Sequence, residues 1–442
     1  MINETIVLLT PLEDCSNHRL AKHMDFLRLT TSFDLYFYKP LQKIFSKVIV
    51  YDYVKRQTEI GVKGINEEVI ELVRKEHPKY ILWISAYYEF RESTFEKIRK
   101  EGTKVIGWFS DDEVRFDYYS RWWVPYLDYC VTNNAETVPK YKKLGGIRVL
   151  YGIPCTGIAV PRDLSNLKEK YTVSFVGRKF LDREQNINEL RKRNISVHVV
   201  GRGWGNYISH EEMIDIFRTS KINLNFSRIG NTTQIKGRVF EICLVGGFLL
   251  TEYVPGIEKF FEINREIVCF QNAEEMIEKI IYYLSHDEDR RSIAQAGWKR
   301  ATSEYTSFHI LARVFNEIEE DIAAKGKINN FQSQKLKMPM QMRKNFSDYY
   351  LNWGKALSLE NYNGLWKDTL ALSISYNPFN TRAWYHYIIG FLPYHMRFTI
   401  IRLFSVMQKL RAVLTNRLLC WADSVPFLRR IKRSFKKRFY QI

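Results

Sequence analysis

The chain has 442 residues, of which 45% are hydrophobic and 15% aromatic, and its formal net charge is +18. That length exceeds what one hydrophobic core usually serves, so two domains and an appendage are expected. The six cysteines are scattered without a CxxC pair or metal-ligand spacing, which argues against a disulfide framework and a structural zinc site.

The first residues, MINETIVLLTPLEDC, are typical of a β-strand rather than a secretion signal, because the apolar run is only about five residues long and follows an acid. The sequence contains no uncharged apolar segment of about 18 residues, so no transmembrane helix is predicted. These features favour a cytoplasmic protein.

Short β-branched and aromatic runs alternate with helical periodicity up to residue 325, a pattern typical of α/β units around parallel sheets. A first set of strands is predicted at residues 5–12, 47–54, 80–85, 104–112, 126–134 and 148–154. A second set is predicted at residues 171–178, 195–204, 222–227, 246–253 and 265–270. The Gly- and Pro-rich segment between the sets predicts a linker. Two facing doubly wound sheets would place their strand ends around one ligand cleft.

Within the second set, IKGRVFEICLVGGFLLTEY (235–253) predicts an anion site. Lys236 and Arg238 fall at the first turn of a predicted helix, where free backbone N–H groups favour phosphate. Glu241 follows three residues later on the same side, where a carboxylate suits ribose hydroxyls. The segment therefore predicts a nucleotide site, and the alternative is an i,i+3 ion pair on a surface helix. Glu252 ends the next strand as either a further contact or a solvated carboxylate.

Two other turns of the same half have a similar character. SFVGRKFLDREQ ends a strand on Gly177 and Arg178, and Arg183 begins the next helix. VVGRGWGN adds a glycine-rich turn around Gly203, where small residues let a flat base approach the backbone.

From about residue 171 to residue 317 the sequence resembles the donor-binding half of GT-B glycosyltransferases, specifically the group similar to the spore-maturation CgeB proteins. The motifs that carry the resemblance are SFVGR, VVGRGW, KGRVFEICLVGGFLLTE and YYLSHDEDRRSIAQAGWKRATSEYT. The N-terminal half resembles the family more loosely, through GWFSDDEVRF, YLDYCVTNNAETVPKYKKLG and YGIP.

The resemblance implies an α/β fold of the GT-B type, with an acceptor-side Rossmann-like domain at 1–155 and a nucleotide-sugar donor domain at 170–325. A basic helical extension at 340–442 would follow. The implied activity is sugar transfer from a nucleotide-sugar donor to a glycan, lipid-linked or protein acceptor in surface glycan synthesis. No cofactor besides the donor substrate is expected, and no metal, because four side-chain cations can stabilise the leaving diphosphate.

The resemblance also assigns roles by position. Arg178 and Arg183 match the basic pair that similar enzymes direct at the donor diphosphate, and Lys236 with Arg238 matches an additional pair of this group. Glu241 matches the acid that holds the donor ribose in related retaining enzymes.

A departure from the family concerns stereochemistry. The related retaining enzymes carry an acid eight residues before the ribose Glu, and Thr233 stands at that position here. Retention is therefore in doubt, and an inverting enzyme would need a base for the acceptor hydroxyl. FSDDEVRF places Asp111, Asp112 and Glu113 at a predicted strand end of the N-terminal half, and we take Asp112 and Asp111 as candidates. The alternative is that Ser110 or Asp111 caps the next helix.

Two other functions stay open. A nucleotide-sugar epimerase with the same fold would need the same cations but no acceptor. A non-catalytic binding module built on a degenerate fold is the other alternative, favoured by Thr233 and by the unsettled identity of the base.

The positive charge is concentrated in residues 331–442, where 19 Lys and Arg face four Asp and Glu, giving +15 of the total +18. Residues 361–392 predict one helical hairpin of the tetratricopeptide type. Residues 397–442 interleave cations with large apolar residues, which predicts peripheral attachment to an anionic membrane at its inner face. The alternatives are an amphipathic pair packed on the body and a nucleic-acid site, which the enzyme context disfavours.

Overall fold

The computed structural model describes residues 1–12, 18–23, 33–144, 148–153, 157, 160, 168–205, 208–229, 232–325, 338–360, 362, 364–391 and 396. The chain divides into two compact units, Met1–Asn345 and Phe346–Ile442.

The first half of the first unit contains a six-stranded parallel sheet. Its strands are β1 Ile2–Thr10, β2 Phe45–Asp52, β3 Tyr80–Ser85, β4 Lys104–Phe109, β5 Tyr129–Thr132 and β6 Arg148–Tyr151, in the order β2-β1-β3-β4-β5-β6. The helices are α1 Lys39–Ile44, α2 Tyr53–Glu76, α3 Glu92–Lys100, α4 Asp112–Arg115, α5 Arg121–Trp123 and α6 Val138–Leu144. Short 3-10 or π segments lie at Arg19–Lys22, Asp34–Tyr38, Phe116–Ser120 and Val124–Tyr126.

The second half contains a five-stranded parallel sheet. Its strands are β7 Tyr171–Val176, β8 Val197–Val200, β9 Ser220–Asn225, β12 Leu249–Glu252 and β13 Val268–Phe270, in the order β13-β12-β9-β7-β8. A small antiparallel pair consists of β10 Arg228–Ile229 and β11 Thr232–Thr233. The helices are α7 Leu181–Lys192, α8 His210–Thr219, α9 Gly237–Leu244, α10 Ala273–Ser285, α11 Asp287–Glu304 and α12 Ser307–Lys325. A 3-10 turn lies at Ile257–Lys259.

Each of the eleven predicted strands is present, and the predicted α/β class is confirmed. The central strands are covered on both faces by helices, which is why they read as continuous apolar runs rather than alternating ones. All six residues of β3, YILWIS, are buried. The four residues from Ile6 to Leu9 of β1 are completely inaccessible to solvent.

The order of the second sheet reverses between β7 and β9, because β8 lies beside β7 while β12 lies beside β9. Connections leave two neighbouring strands in opposite directions at such a point, and a crevice opens beyond their carboxyl ends. Val176 and Asn225, the last residues of these strands, therefore mark the expected ligand position.

Helix α12 lies within the range predicted for the donor domain, 170–325, yet it packs against the first sheet. The Phe315 ring lies 4.7 Å from the Phe45 ring. The Tyr129 hydroxyl on β5 donates a hydrogen bond of 2.9 Å to Asp321. The chain thus returns to the first half before the first unit ends.

The second unit begins within α13 Met340–Leu359 and continues with α14 Leu365–Tyr376 and α15 Thr381–Ile389. The last two form the predicted hairpin, and the Asn380 side chain caps α15 by accepting the Ala383 N–H at 3.2 Å. The predicted membrane segment, 397–442, lies outside the described residues. Among the helices that the structure describes, none has the length and apolar character needed to cross a membrane.

Candidate functional site

A cavity of about 380 Å³ opens at the switch point, beyond the ends of β7 and β9. Its walls are formed by Phe175, Val176, Gly177, Arg178, Phe180, Arg183, Asn225, Phe226, Lys236, Gly237, Arg238 and Glu241. The volume falls within the range of small-molecule sites. Six of the eight predicted donor-site residues line it, and Gly203 and Glu252 do not.

The turn after β7 supplies the floor of the cavity. Gly177 donates its N–H to the Val200 carbonyl at 3.0 Å. A Cβ atom at Gly177 would lie 2.7 Å from the Phe175 ring, so a larger residue would displace that ring. Arg178 follows as a solvent-exposed side chain whose guanidinium lies 5.1 Å from the Phe180 ring. Arg178 thus contributes an exposed charge to the cavity lining rather than a buried structural contact.

Arg183, at the start of α7, is buried and belongs to the frame. Its guanidinium donates to the carbonyls of Arg178 at 3.1 Å, Phe226 at 3.0 Å and Arg228 at 3.4 Å. Burial lowers the pKa of Arg183. The planar guanidinium thus links the segment that follows β7 to the segment that follows β9. Arg183 lines the cavity as predicted, but most of its donors are already occupied by these carbonyls.

Helix α9 begins at the opposite wall and carries the second cation pair. Lys236 is its N-cap residue, and the Lys236 amine donates to the Gln234 side chain and lies 3.8 Å from Oε1 of Glu113. Burial lowers the pKa of Lys236. Arg238, the second residue of the helix, donates from Nε to the Val176 carbonyl at 3.3 Å and forms an ion pair with Glu241.

Glu241 is 8% exposed and stands on the cavity wall. Besides pairing with Arg238, it accepts a 2.9 Å hydrogen bond from the Tyr36 hydroxyl. The i,i+3 ion pair is therefore present, but in a buried wall rather than on a surface helix. Tyr36 belongs to the π segment of the first half, and its ring centroid lies 5.8 Å from that of His210. The two halves of the unit thus meet beside the cavity.

The prediction that Asp112 faces the cleft as a base is wrong. Its side chain is completely buried and accepts hydrogen bonds from the Ser120 hydroxyl and, at 2.7 Å, from the Tyr141 hydroxyl. Burial raises the pKa of Asp112. No acceptor substrate can reach a carboxylate enclosed in this way, so Asp112 supports the fold instead.

Asp111 explains the turn at this strand end. Its backbone is left-handed, with φ of 58°, so the chain changes direction sharply between β4 and α4. Asp111 occupies the N-cap position, but its side chain makes no capping hydrogen bond and is exposed. Nothing else in its surroundings distinguishes it as a base.

Glu113 is the member of this acidic cluster that faces the cations of α9. Its side chain is 10% exposed, and Oε1 is the atom that lies near the Lys236 amine. Oε2 is buried and has no hydrogen-bond partner among the described residues. Burial raises the pKa of Glu113, and the charge of Asp111 raises it further. The sequence indicated the cluster, but not which of the three carboxylates would point at Lys236.

Two predicted donor-site residues have other surroundings. Gly203 has a left-handed φ of 88° in an exposed turn, where a Cβ would lie 2.9 Å from Cβ of Lys179. Glu252 accepts the N–H groups of Ser227 at 3.0 Å and Arg228 at 2.8 Å, and it pairs with the Arg228 side chain. Glu252 thus fixes the loop after β9, and its predicted contact with the donor stays a prediction.

Part of this chain is similar to known proteins. Residues 178–316 match the family model described as Glycosyl transferase-like. Spore protein CgeB of Bacillus subtilis (strain 168) is 22% identical over 239 residues, which are 48% of this chain and 74% of that protein.

Among solved structures, HepE of Anabaena in complex with UDP is 10% identical, with a TM-score of 0.45 over 72% of this chain and 100% of that one. A putative UDP-N-acetylglucosamine 2-epimerase from Listeria monocytogenes is also 10% identical, with a TM-score of 0.44 over 74% of this chain and 99% of that one. These likenesses are distant. Residues 178–316 are thus similar to glycosyl transferase-like domains, and the predicted arrangement of two doubly wound parallel sheets is present.

Proposed function

We propose that this chain, which has a glycosyl transferase-like domain at residues 178–316, transfers a sugar from a nucleotide-diphosphate sugar to a glycan, lipid-linked or protein acceptor in surface glycan synthesis. The observation that supports this function is the cavity at the switch point of the second sheet. Its wall combines the cations Lys236 and Arg238 at a helix N-terminus with the buried carboxylate of Glu241. A nucleotide sugar carries a diphosphate that suits the two cations and ribose hydroxyls that suit the carboxylate.

The diphosphate is assigned to Arg178, Lys236 and Arg238. Leaving-group departure builds negative charge on the diphosphate, so preorganised cations stabilise the transition state more than the ground state. The N–H groups at the start of α9 add a favourable partial charge. Arg183 contributes by holding both strand-end segments in place. These side chains supply the charge stabilisation by themselves, so the proposed reaction uses no metal.

The ribose is assigned to Glu241. A carboxylate this deeply buried needs hydrogen-bond donors, and at present the Tyr36 hydroxyl is one of them. A ribose hydroxyl can take the same place on Oε1 without leaving the carboxylate unsatisfied. The aromatic rings of Phe175, Phe180 and Phe226 on the same cavity wall offer apolar area to the ligand.

The test is calorimetric titration of UDP, GDP, CDP and ADP into the full chain. One of these nucleotides should bind, and Arg238→Ala should weaken it by about ten- to a hundredfold, since a hydrogen bond to a charged group contributes about 1.5–3 kcal/mol. Lys192→Ala is the control, because that side chain is 76% exposed on α7 and forms an ion pair with Glu189, away from the cavity lining.

Two results would overturn the assignment. Absence of binding by all four nucleotides would remove the donor site, and equal affinities of the Arg238 and Lys192 variants would place the nucleotide elsewhere. Interconversion of a free nucleotide sugar without any acceptor would indicate the epimerase alternative instead.

We also propose that the basic segment 397–442 attaches the enzyme to an anionic membrane surface, near a lipid-linked acceptor. Each cation near anionic lipid contributes about 1 kcal/mol, so 12 Lys and Arg in that segment are sufficient for binding. The full chain should float with phosphatidylglycerol-containing vesicles at low salt and not with neutral ones. A protein that stays in the soluble fraction with both vesicle types would contradict this attachment.

A further inference from the structure

We propose that Glu113 removes the proton from the acceptor hydroxyl, and that Lys236 pairs with this carboxylate until the donor diphosphate takes the lysine away. The inference rests on the proposed glycosyl transfer and deepens it, because it identifies the acceptor-activating group.

The position of Glu113 is the first step of the argument. It lies on α4, immediately beyond the carboxyl end of β4 in the first sheet. Its partner Lys236 lies at the start of α9 in the second half and lines the cavity. The 3.8 Å between their charged atoms places the carboxylate beside the site assigned to the diphosphate, on the side of the other sheet. An acceptor held by the first half would approach the donor from this side.

The second step is the capacity of Glu113 for a new partner. Asp112, the preceding residue, has one hydroxyl donor on each carboxylate oxygen, from Ser120 and Tyr141. Glu113 has a cation near Oε1 and a buried Oε2 without a donor. An unsatisfied buried acceptor costs about 1–3 kcal/mol, and such groups concentrate where a ligand supplies the missing donor. The Asp112 side chain is completely enclosed, whereas that of Glu113 is 10% exposed, so Glu113 is the carboxylate of this pair that a substrate hydroxyl would reach once Lys236 moves away.

The third step is electrostatic. Burial raises the pKa of Glu113, a hydrogen bond from its own backbone and the charge of Lys236 oppose this shift, and the charges of Asp111 and Asp112 add to it. When a diphosphate draws the lysine away, the opposing cation is lost and the carboxylate becomes a stronger base. A proton acceptor works best with a pKa near the operating pH. Donor binding therefore increases the basicity of Glu113.

The proposed step balances without any additional reactant. The acceptor O–H bond breaks and its proton goes to Glu113, while the acceptor oxygen forms a bond to the anomeric carbon. The bond between that carbon and the phosphate oxygen breaks, and its electron pair leaves with the nucleoside diphosphate. Attack opposite the leaving group inverts the anomeric configuration.

The experiment measures donor hydrolysis by the full chain, with water as acceptor, on UDP-glucose, UDP-N-acetylglucosamine, GDP-mannose and ADP-glucose. Nucleoside diphosphate release and the anomer of the released sugar are followed. Glu113→Gln should slow release at least about a hundredfold and abolish the acidic limb of the pH profile. The variant should bind the nucleoside diphosphate as tightly as wild type or tighter, because Lys236 is no longer shared. Asp117→Asn is the matched control, since this nearby carboxylate is 75% exposed.

The results of these measurements separate proton transfer by Glu113 from a purely structural role. Unchanged release by the Gln variant, or release with retained configuration, would overturn the role of Glu113. A loss of release matched by an equal loss of nucleotide affinity would also overturn it, because Glu113 would then act only by holding Lys236. Wild-type protein that binds nucleotide yet hydrolyses none of the four donors would count against it as well. Failure of wild type to bind any nucleotide would instead overturn the proposed function.

Discussion

Replacing Arg183 by lysine should destabilise the folded protein more than the same replacement at Arg178. Both substitutions keep the positive charge at the cavity. Arg183 is buried and donates to three backbone carbonyls, whereas Arg178 is exposed and its side chain makes no hydrogen bond to protein among the described residues. The pair therefore separates the frame of the site from its ligand-binding charge.

The magnitude follows from the contacts. A lysine amine at position 183 reaches at most one of the three carbonyls, because its donors radiate from a single atom instead of a planar fork. Two charged hydrogen bonds are lost at about 1.5 kcal/mol or more each, so the free energy of unfolding should fall by about 3 kcal/mol. Arg178→Lys should change it by less than about 0.5 kcal/mol, as is usual for exposed substitutions.

Urea unfolding of the full chain, followed by tryptophan fluorescence, measures both effects under one condition. Arg183→Lys should shift the midpoint to lower urea, with Arg178→Lys close to wild type. If both variants unfold within about 0.5 kcal/mol of each other, the carbonyl contacts of Arg183 do not stabilise the fold and the division of roles is refuted.

Three further predictions follow from single contacts. Tyr36→Phe removes the hydroxyl that occupies Glu241, so calorimetry should show nucleotide affinity rising by about two- to tenfold; a fall would mean that the hydroxyl helps to bind the ligand. Gly297→Ala places a Cβ 2.2 Å from the Glu266 carbonyl oxygen, so the free energy of unfolding should fall by about 1–3 kcal/mol and the urea midpoint should fall with it. An unchanged midpoint would contradict the packing. Burial, and then two nearby cations, lower the pKa of His386 to about 4, so the folded state favours the neutral ring. Above pH ~6.5 the ring is neutral in the folded and the unfolded state, but at lower pH the unfolded state binds the proton more readily. The free energy of unfolding should therefore fall by about 3 kcal/mol as the pH falls to 4. Urea unfolding at several pH values measures this slope, and His386→Gln should remove it.

The strands were predictable from the sequence because buried parallel strands are continuous apolar runs, but their ends were not. β12 was expected from residue 246 and begins at Leu249, because Gly246 is left-handed with φ of 82° and Gly247 packs against the Phe217 carbonyl. The packing of α12 on the first sheet was not predictable either. An amphipathic helix shows that it covers a core without showing which one.

The α9 wall of the cavity was predictable for a similar reason: Lys236, Arg238 and Glu241 lie within one helical turn and a half, so their proximity is local. Tyr36 lies 205 residues from Glu241, and no local pattern indicates such a contact. Glu113 lies near Lys236, 123 residues further along the chain, and the residue types of the acidic cluster do not reveal this contact. Both failures concern long-range geometry rather than chemistry.

The charges of the cavity favour the proposed nucleotide sugar over a simple phosphate. Two unpaired, partly buried cations would destabilise the protein without ligand, and here Glu241 and Glu113 neutralise Arg238 and Lys236. A ligand that takes both cations leaves two buried carboxylates in need of donors. The phosphate oxygens that would bind the cations offer none, whereas in the proposed complex a ribose hydroxyl would donate to Glu241 and an acceptor hydroxyl to Glu113. Both cations can therefore leave Glu241 and Glu113 for the diphosphate only when donor and acceptor hydroxyls take their places. The proposed reaction thus requires both substrates to be bound.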